Sequence, residues 1–129
     1  MRRDPACMSA RSRRIVVGYD GSESSRRALD AAADLVGYGS TLSVVTITDG
    51  QVGSWATGEA RARLLVRNVD ARYHEATGEA AEQLVEKASE LRANLVVVGR
   101  RSRGPLRSLL GSVSSRVVRQ APCDVLVVR

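Results

Sequence analysis

The sequence predicts an α/β protein built on a doubly wound parallel sheet, and three observations carry that prediction. Short β-branched runs recur at 15–17, 41–48, 95–98 and 125–128 and are largely apolar at consecutive positions, as strands covered on both faces are. Between them lie segments whose apolar residues repeat at helical spacing. The two kinds alternate from the first strand to the last residues, the pattern of βαβ units with right-handed crossovers.

Residues 1–13 have no periodicity and are rich in Arg, Ser and Ala, so a basic disordered tail is expected before one domain over 14–129. Met8 stands shortly before the first strand and is a second candidate start. Arg14 to Gly18 is a β-branched run that ends in the turn residues Asp20-Gly21-Ser22. Ser22 suits an N-cap and Glu23 a first turn, with Ala28, Leu29, Ala32, Leu35 and Val36 at helical spacing until Gly37 and Gly39 stop the helix. Thr41 to Thr48 is the second strand, ending at Asp49-Gly50. A loop is expected over 51–58, then a short helix from Glu59 to about Asn68 with Ala62, Leu65 and either Val66 or Val69 facing inward. A third strand is expected over Asp70 to Glu75, where only Ala71 and Tyr73 alternate inward. Thr77 to Arg92 has the strongest helical pattern: Ala81, Leu84, Val85, Ala88 and Leu91 repeat at 3.6, with Glu79 and Glu82 early. Leu95 to Val98 is strand four. Ser112 opens a helix with Val113, Val117 and Val118 apolar and Arg116 and Arg119 towards its end; Pro122 follows, and Val125 to Val128 is strand five.

A chain of 129 residues holds one domain and no second. No apolar run approaches the roughly 20 residues of a membrane span, and the arginine-rich start lacks an apolar core for a secretory signal, so a cytoplasmic protein is expected. Cys7 and Cys123 match no metal spacing and read as two reduced thiols. The net charge of +6 divides as +4 over residues 1–14, −4 over 15–98 and +6 over 99–129, which concentrates positive charge in the tail and in the C-terminal quarter. That points to an anionic partner, a nucleotide phosphate or a nucleic acid. Four aromatic residues and no Phe supply a poor stacking platform, which argues against nucleic acid. His74, the single histidine, has only Glu75 beside it and reads as a surface or strand-edge residue rather than a metal ligand. Trp55 falls in the expected 51–58 loop, either covering a pocket or a dimer surface or simply packing. There is no Gly-x-x-x-x-Gly-Lys-Ser/Thr loop, no nucleophile elbow and no Ser-Gly-Gly-x-Asp-Ser loop, so the reading is a non-enzyme with at most slow nucleotide hydrolysis.

In doubly wound sheets ligands bind beyond the carboxyl ends of the strands, where strand order reverses. The loops leaving strands one and four, Gly18 to Ser22 and Gly99 to Gly111, are the candidates. From Asn94 to Ser114 the chain runs strand, arginine-rich loop and helix start, an arrangement whose backbone N–H groups can hold a phosphate.

These residues resemble the universal stress proteins over 14–129. The likeness rests on Val17-Gly18-Tyr19-Asp20-Gly21-Ser22, Val98-Gly99, Gly111-Ser112-Val113-Ser114, Ala121-Pro122-Cys123 and Val125-Leu126-Val127-Val128. The resemblance implies five parallel strands in the order 3-2-1-4-5, helices on both faces, a homodimer through Val125 to Val128, and action through a protein partner the sequence does not identify. One branch of the family binds ATP, with or without Mg, through a loop of the form Gly, two residues, Gly, nine residues, Gly, Ser or Thr; the other branch lacks the loop and does not bind ATP. Carried over residue by residue, Gly18, Ile47 and Val98 line the base pocket, with Tyr19 beside them and Asp20 near adenine and ribose. Gly99, Arg101, Ser102, Gly111, Ser112, Val113 and Ser114 surround ribose and phosphates. Here Ser102 stands at the second glycine, and eight residues rather than nine separate it from Gly111. A serine in a left-handed conformation costs roughly 1 kcal/mol, and a missing residue re-aims the N–H groups. Arg100, Arg101, Arg103 and Arg107 offer charge-assisted contacts in return. The leading expectation is a stress-response regulator that binds ATP. The alternative is a member that has lost the nucleotide and works as a dimeric interaction module.

Overall fold

Five strands and four helices alternate along the residues that the computed structural model describes: 13–37, 39–48, 53–100 and 112–129. In order they are β1 (Arg14–Gly18), α1 (Glu23–Leu35), β2 (Thr41–Thr48), α2 (Gly53–Val66), β3 (Arg72–Thr77), α3 (Ala80–Glu90), β4 (Leu95–Gly99), α4 (Ser112–Gln120) and β5 (Asp124–Val128). All strand pairings are parallel and the sheet order is β3-β2-β1-β4-β5. The sheet is therefore wound outward in both directions from β1, and order reverses between β1 and β4. Val17 lies opposite Val44 on one side and Val97 on the other.

The pleat divides the core in two. Ile15, Val17 and Tyr19 of the first strand and its exit face α1 and α2, where they meet Leu29, Ala32, Ala60 and Leu64. Val16 faces α3 and α4 with Val45, Val96, Leu84 and Val117. Each such fully buried Val or Leu contributes about 1.5–3 kcal/mol relative to exposure, so both faces are needed to hold the sheet. Ser22 caps α1 by accepting from the Ser25 amide at 3.2 Å, and Glu79 caps α3 by accepting from the Glu82 amide at 2.9 Å. Glu79 also pairs with Arg116 at 2.9 Å, linking the start of α3 to the middle of α4. Asn68 (φ 61) follows α2 and Arg92 (φ 56) follows α3 as left-handed stops.

The structure corrects several sequence expectations. The loop expected over 51–58 is helical from Gly53 onward, and α2 reaches Val66, with 51 and 52 outside the described residues. Its buried face is Ala56, Ala60 and Leu64, spaced by four, while Leu65 is 69% and Val66 88% exposed and Ala62 also faces outward. Two of the three inward residues are alanines, so the larger Leu65 and Val66 dominated the apparent pattern. β3 lies two residues later than expected, and it is an edge strand with one partner; Ala71, just before it, and Tyr73 pack on the core as expected, Tyr73 beneath the Arg61 guanidinium, 4.4 Å from the ring centre. Thr77 belongs to β3, and α3 starts only at Ala80 after Gly78 (φ 137). Leu35 and Val118, counted among the apolar residues of their helices, are 36% and 47% exposed. The tail calls on 1–12, including Cys7, lie outside the described residues.

Gly99 ends β4 directly beneath the first turn of α1. A Cβ there would lie 2.7 Å from both the carbonyl carbon and the oxygen of Ser24, and 2.6 Å from its Oγ, leaving no room for a side chain. Gly99→Ala is expected to lower unfolding free energy by about 1–3 kcal/mol through overpacking. Urea denaturation measures this; a loss below about 0.5 kcal/mol would mean α1 yields freely there.

Candidate functional site

Where β1 and β4 part, α1 lies on one face of the sheet and α4 on the other, and a cavity of about 90 Å³ opens at the C-terminal ends of the two strands. Its floor is apolar, made by Ile47, Ala80, Leu84, Val98 and Val113. Its rim is polar, with Asp20, Ser22, Ser24, Ser25 and Ser114, and the backbones of Gly18 and Gly99 pass along it. Gly18 is tight as well, since a Cβ would sit 3.0 Å from Leu84 Cδ2.

The rim is held in place by local hydrogen bonds that the turn sequence supplies. One Asp20 carboxylate oxygen accepts from the Ser22 amide at 2.9 Å, an Asx turn in which Gly21 takes a left-handed φ of 84. The Asp20 amide donates to Ser25 Oγ at 3.3 Å, and that hydroxyl donates on to the Ser22 carbonyl at 3.0 Å. On the opposite wall buried Ser114 donates to the Arg100 carbonyl at 3.0 Å, fixing the exit of β4 to the first turn of α4. Arg100 also donates its amide to the Val128 carbonyl. Asp20 and Ser114 therefore each have a structural task alongside any contact with a ligand.

Of the residues singled out in the sequence, Gly18, Asp20, Ile47, Val98, Gly99, Val113 and Ser114 converge on this cavity. Ser112 opens α4, and Arg101, Ser102 and Gly111 lie outside the described residues. Tyr19 is turned to the opposite face, so its expected place beside the base pocket is corrected: its side chain is 3% exposed, packs in the α1–α2 core and donates its hydroxyl to Glu59. Alternation along an extended strand requires this, since Gly18 faces the cavity side. Ser24, Ser25, Ala80 and Leu84 line the cavity without having been singled out; only their packing marks them. Trp55 sits in α2, not in a loop, with its indole against Gly21.

Elsewhere the described residues hold no group of three His, Cys, Asp or Glu side chains able to take a metal ion. His74 is half-buried on β3, and burial together with Lys87 and Arg72 lowers its pKa. Burial, with Asp124 beside it, raises that of the Cys123 thiol. Among the described residues no helix is long and apolar enough to cross a membrane.

A crevice with an apolar floor and a polar rim, at the point where a doubly wound sheet reverses its order, is where α/β proteins of the Rossmann-like kind bind their ligands. Comparison with known proteins gives the family. The profile of the Universal stress protein family matches residues 11–65 and 55–129, and the chain belongs to that family. A universal stress protein from the QAH/OAS sulfhydrylase 3′ region of Thermus aquaticus is 34% identical, over 89% of this chain and 97% of its own. One from Mycobacterium tuberculosis is 32% identical over 88% of this chain and 94% of its own. Among solved structures, a universal stress protein in complex with cAMP superposes with a TM-score of 0.79 at 33% identity, over 91% of this chain and 96% of that one.

The Tyr19–Glu59–Arg26 cluster beneath the rim predicts a pH response. Burial and Glu59 push Tyr19 up to about 12 from 10.0, while Arg26, with Tyr19, holds Glu59 below its ordinary 4.5. A raised tyrosine stabilises the fold fully below 10.0 and loses that contribution as pH rises towards about 12. A depressed carboxylate contributes above 4.5 and loses it as pH falls through its folded value. Tyr19→Phe is expected to cost about 1 kcal/mol at pH 7, since Glu59 keeps Arg26, and to flatten the fall in stability above pH 10.0. Urea midpoints across pH 7–12 measure both; an unchanged alkaline slope would remove Tyr19 as its source.

Proposed function

We propose that this chain binds an adenine nucleotide in the crevice between the exits of β1 and β4 and acts through a protein partner rather than by turnover. The single observation that carries the reading is the cavity itself: an apolar floor of base-like demands beside a carboxylate, at the switch point of the sheet. In this reading Ile47, Val98 and Leu84 take the faces and edge of the base. Asp20 accepts from the ribose or the adenine, and the start of α4 with Ser112 and Ser114 receives the first phosphate. The first turn of α4 carries no acidic residue to oppose an anion, which favours that assignment. The complex of a 33% identical relative with cAMP supports adenosine as the recognised part.

ATP is the ligand the family resemblance implies. Ser102 and the interval of eight alter the half of the loop that would hold the outer phosphates, so β- and γ-phosphates add little here and AMP and ATP bind within about tenfold of each other. No cluster of three ligating side chains is present among the described residues, so Mg would arrive on the nucleotide's own phosphates. A cytoplasmic dimer joined edge to edge through Val125 to Val128 is part of the same proposal. The sheet order supports it, since β5 is an edge strand.

One observation favours the alternative, a member that has lost the nucleotide: the glycine at 99 is required by Ser24 whether or not a phosphate is present. Calorimetry of the purified chain with ATP, AMP and cAMP separates the two readings. The lead expects saturable heat with each, and a loss of about tenfold in Asp20→Asn, which keeps an oxygen for the Ser22 amide but gives up the charge. No heat at millimolar ligand would leave the interaction-module reading standing.

A further inference from the structure

We propose that α2 sets the geometry of the Asp20 turn, with Trp55 and Glu59 as positioning residues that hold the two neighbours of Asp20 from behind. The inference rests on the nucleotide reading for its effect on affinity, and on the geometry below for the turn itself.

Asp20 lies between two residues that α2 touches. Before it, buried Tyr19 donates its hydroxyl to Glu59. Glu59 is held in turn by Arg26 of α1, through Nη2 at 2.9 Å and Nε at 3.3 Å, a forked pairing that fixes the carboxylate in orientation as well as distance. After Asp20, the six-membered ring of Trp55 rests on Gly21: a Cβ there would lie 2.4 Å from Cη2 and 3.0 Å from Cζ3. Trp55 and Glu59 are one helical turn apart, about 6 Å along the axis, so one face of α2 reaches both neighbours of Asp20. Asp20, the residue between them, lines the cavity on the other side. Helix α2 is itself registered against the sheet by Thr57, which donates to Glu75 of β3 at 2.8 Å and lies 2.8 Å from the Thr46 hydroxyl of β2.

Both contacts exceed what packing alone asks of these positions. Trp55 is 50% exposed, so much of its surface gains nothing from burial, yet its ring covers the one residue of the turn that has a left-handed φ and no side chain to steady it. Gly21 gives the turn its freedom and Trp55 limits it. A carboxylate pre-set towards the ligand loses less entropy on binding, so loosening the turn weakens affinity without removing any ligand contact. Trp55 is also the chain's single tryptophan, which makes its emission a direct reporter of the turn.

The test uses the full chain with AMP as the probe. In Trp55→Ala, hydrogen exchange of the Gly21 and Ser22 amides is expected to accelerate about tenfold more than that of the β4 amides, and AMP affinity to fall about tenfold. Trp55→Phe, which keeps a ring on Gly21, is expected to restore affinity to within about threefold, and Glu59→Gln to reproduce part of the loss. Leu65→Ala, on the exposed side of the same helix, is expected to change neither readout. In the wild type, Trp55 emission is expected to change saturably with AMP at the calorimetric Kd. Exchange that rises uniformly, or not at all, in Trp55→Ala would overturn the inference, because Trp55 would then be packing only. If Trp55→Ala does not fold, the same criteria apply to Glu59→Gln. Selective loosening of the turn in a protein whose wild type binds no AMP would defeat the nucleotide reading and leave the control of the turn by α2 upheld.

Discussion

The first turn of α1 rests on bare backbone at Gly99, and the crevice exists because that contact is possible. With β1 in the middle of a parallel sheet, α1 packs over one face while α4, which follows β4, packs over the other, and the two helices stand apart at the ends of β1 and β4. Ser24 lies within Cβ distance of Gly99, which draws α1 down until Asp20, Ser22 and Ser25 form the rim of the opening rather than a separate surface. A side chain at 99 would lift α1 and widen or tilt that rim. The glycine thus answers to packing with Ser24, a demand that sequence inspection does not separate from a phosphate-loop pattern.

The same economy recurs around the site. Asp20 closes its own turn on the Ser22 amide, Ser22 caps α1, and Ser114 ties α4 to the carbonyl of Arg100. Residues that would meet a ligand are therefore the residues that shape the walls, so the opening is formed before anything binds. Beneath the rim, Tyr19, Glu59 and Arg26 join β1, α2 and α1 through a phenol that keeps its proton to about pH 12 and a carboxylate that stays ionised. That cluster is half-buried and bidentate, which makes it worth more than the exposed pairs such as Arg27 with Glu23 on the outer face of α1.

Much of this was readable in the residues and some was not, for physical reasons. Strands β1 and β4 declare themselves because central parallel strands must be apolar on both faces, and Ile15-Val16-Val17 or Leu95 to Val98 has no other comfortable place; β2 and the edge strand β5 show by their β-branched density. The universal stress protein resemblance supplied the strand order, which periodicity alone does not contain. The second half of helix α2 was legible, but its start and its inward face were not, because the core face is Ala56, Ala60 and Leu64 while larger apolar residues face solvent, so the period was carried mostly by the smallest side chains. At the site, Gly18, Asp20 and Gly99 were legible as turn and loop residues. Ser24, Ala80 and Leu84 were not, since nothing marks an ordinary serine, alanine or leucine until packing brings it to a cavity. Tyr19 was misassigned by its neighbours' company: adjacency in sequence along a strand means opposite faces.

The central claim, that this crevice receives an adenine nucleotide, is tested most directly by mapping backbone amide shifts in a nitrogen-15 labelled chain titrated with AMP. The account predicts saturable shifts concentrated at Gly18 to Ser25, Val98 to Arg100 and Val113 to Ser114, with the N-terminal ends of β2 and β4 unmoved. Shifts that cluster elsewhere on the surface, or none at millimolar AMP, would contradict it.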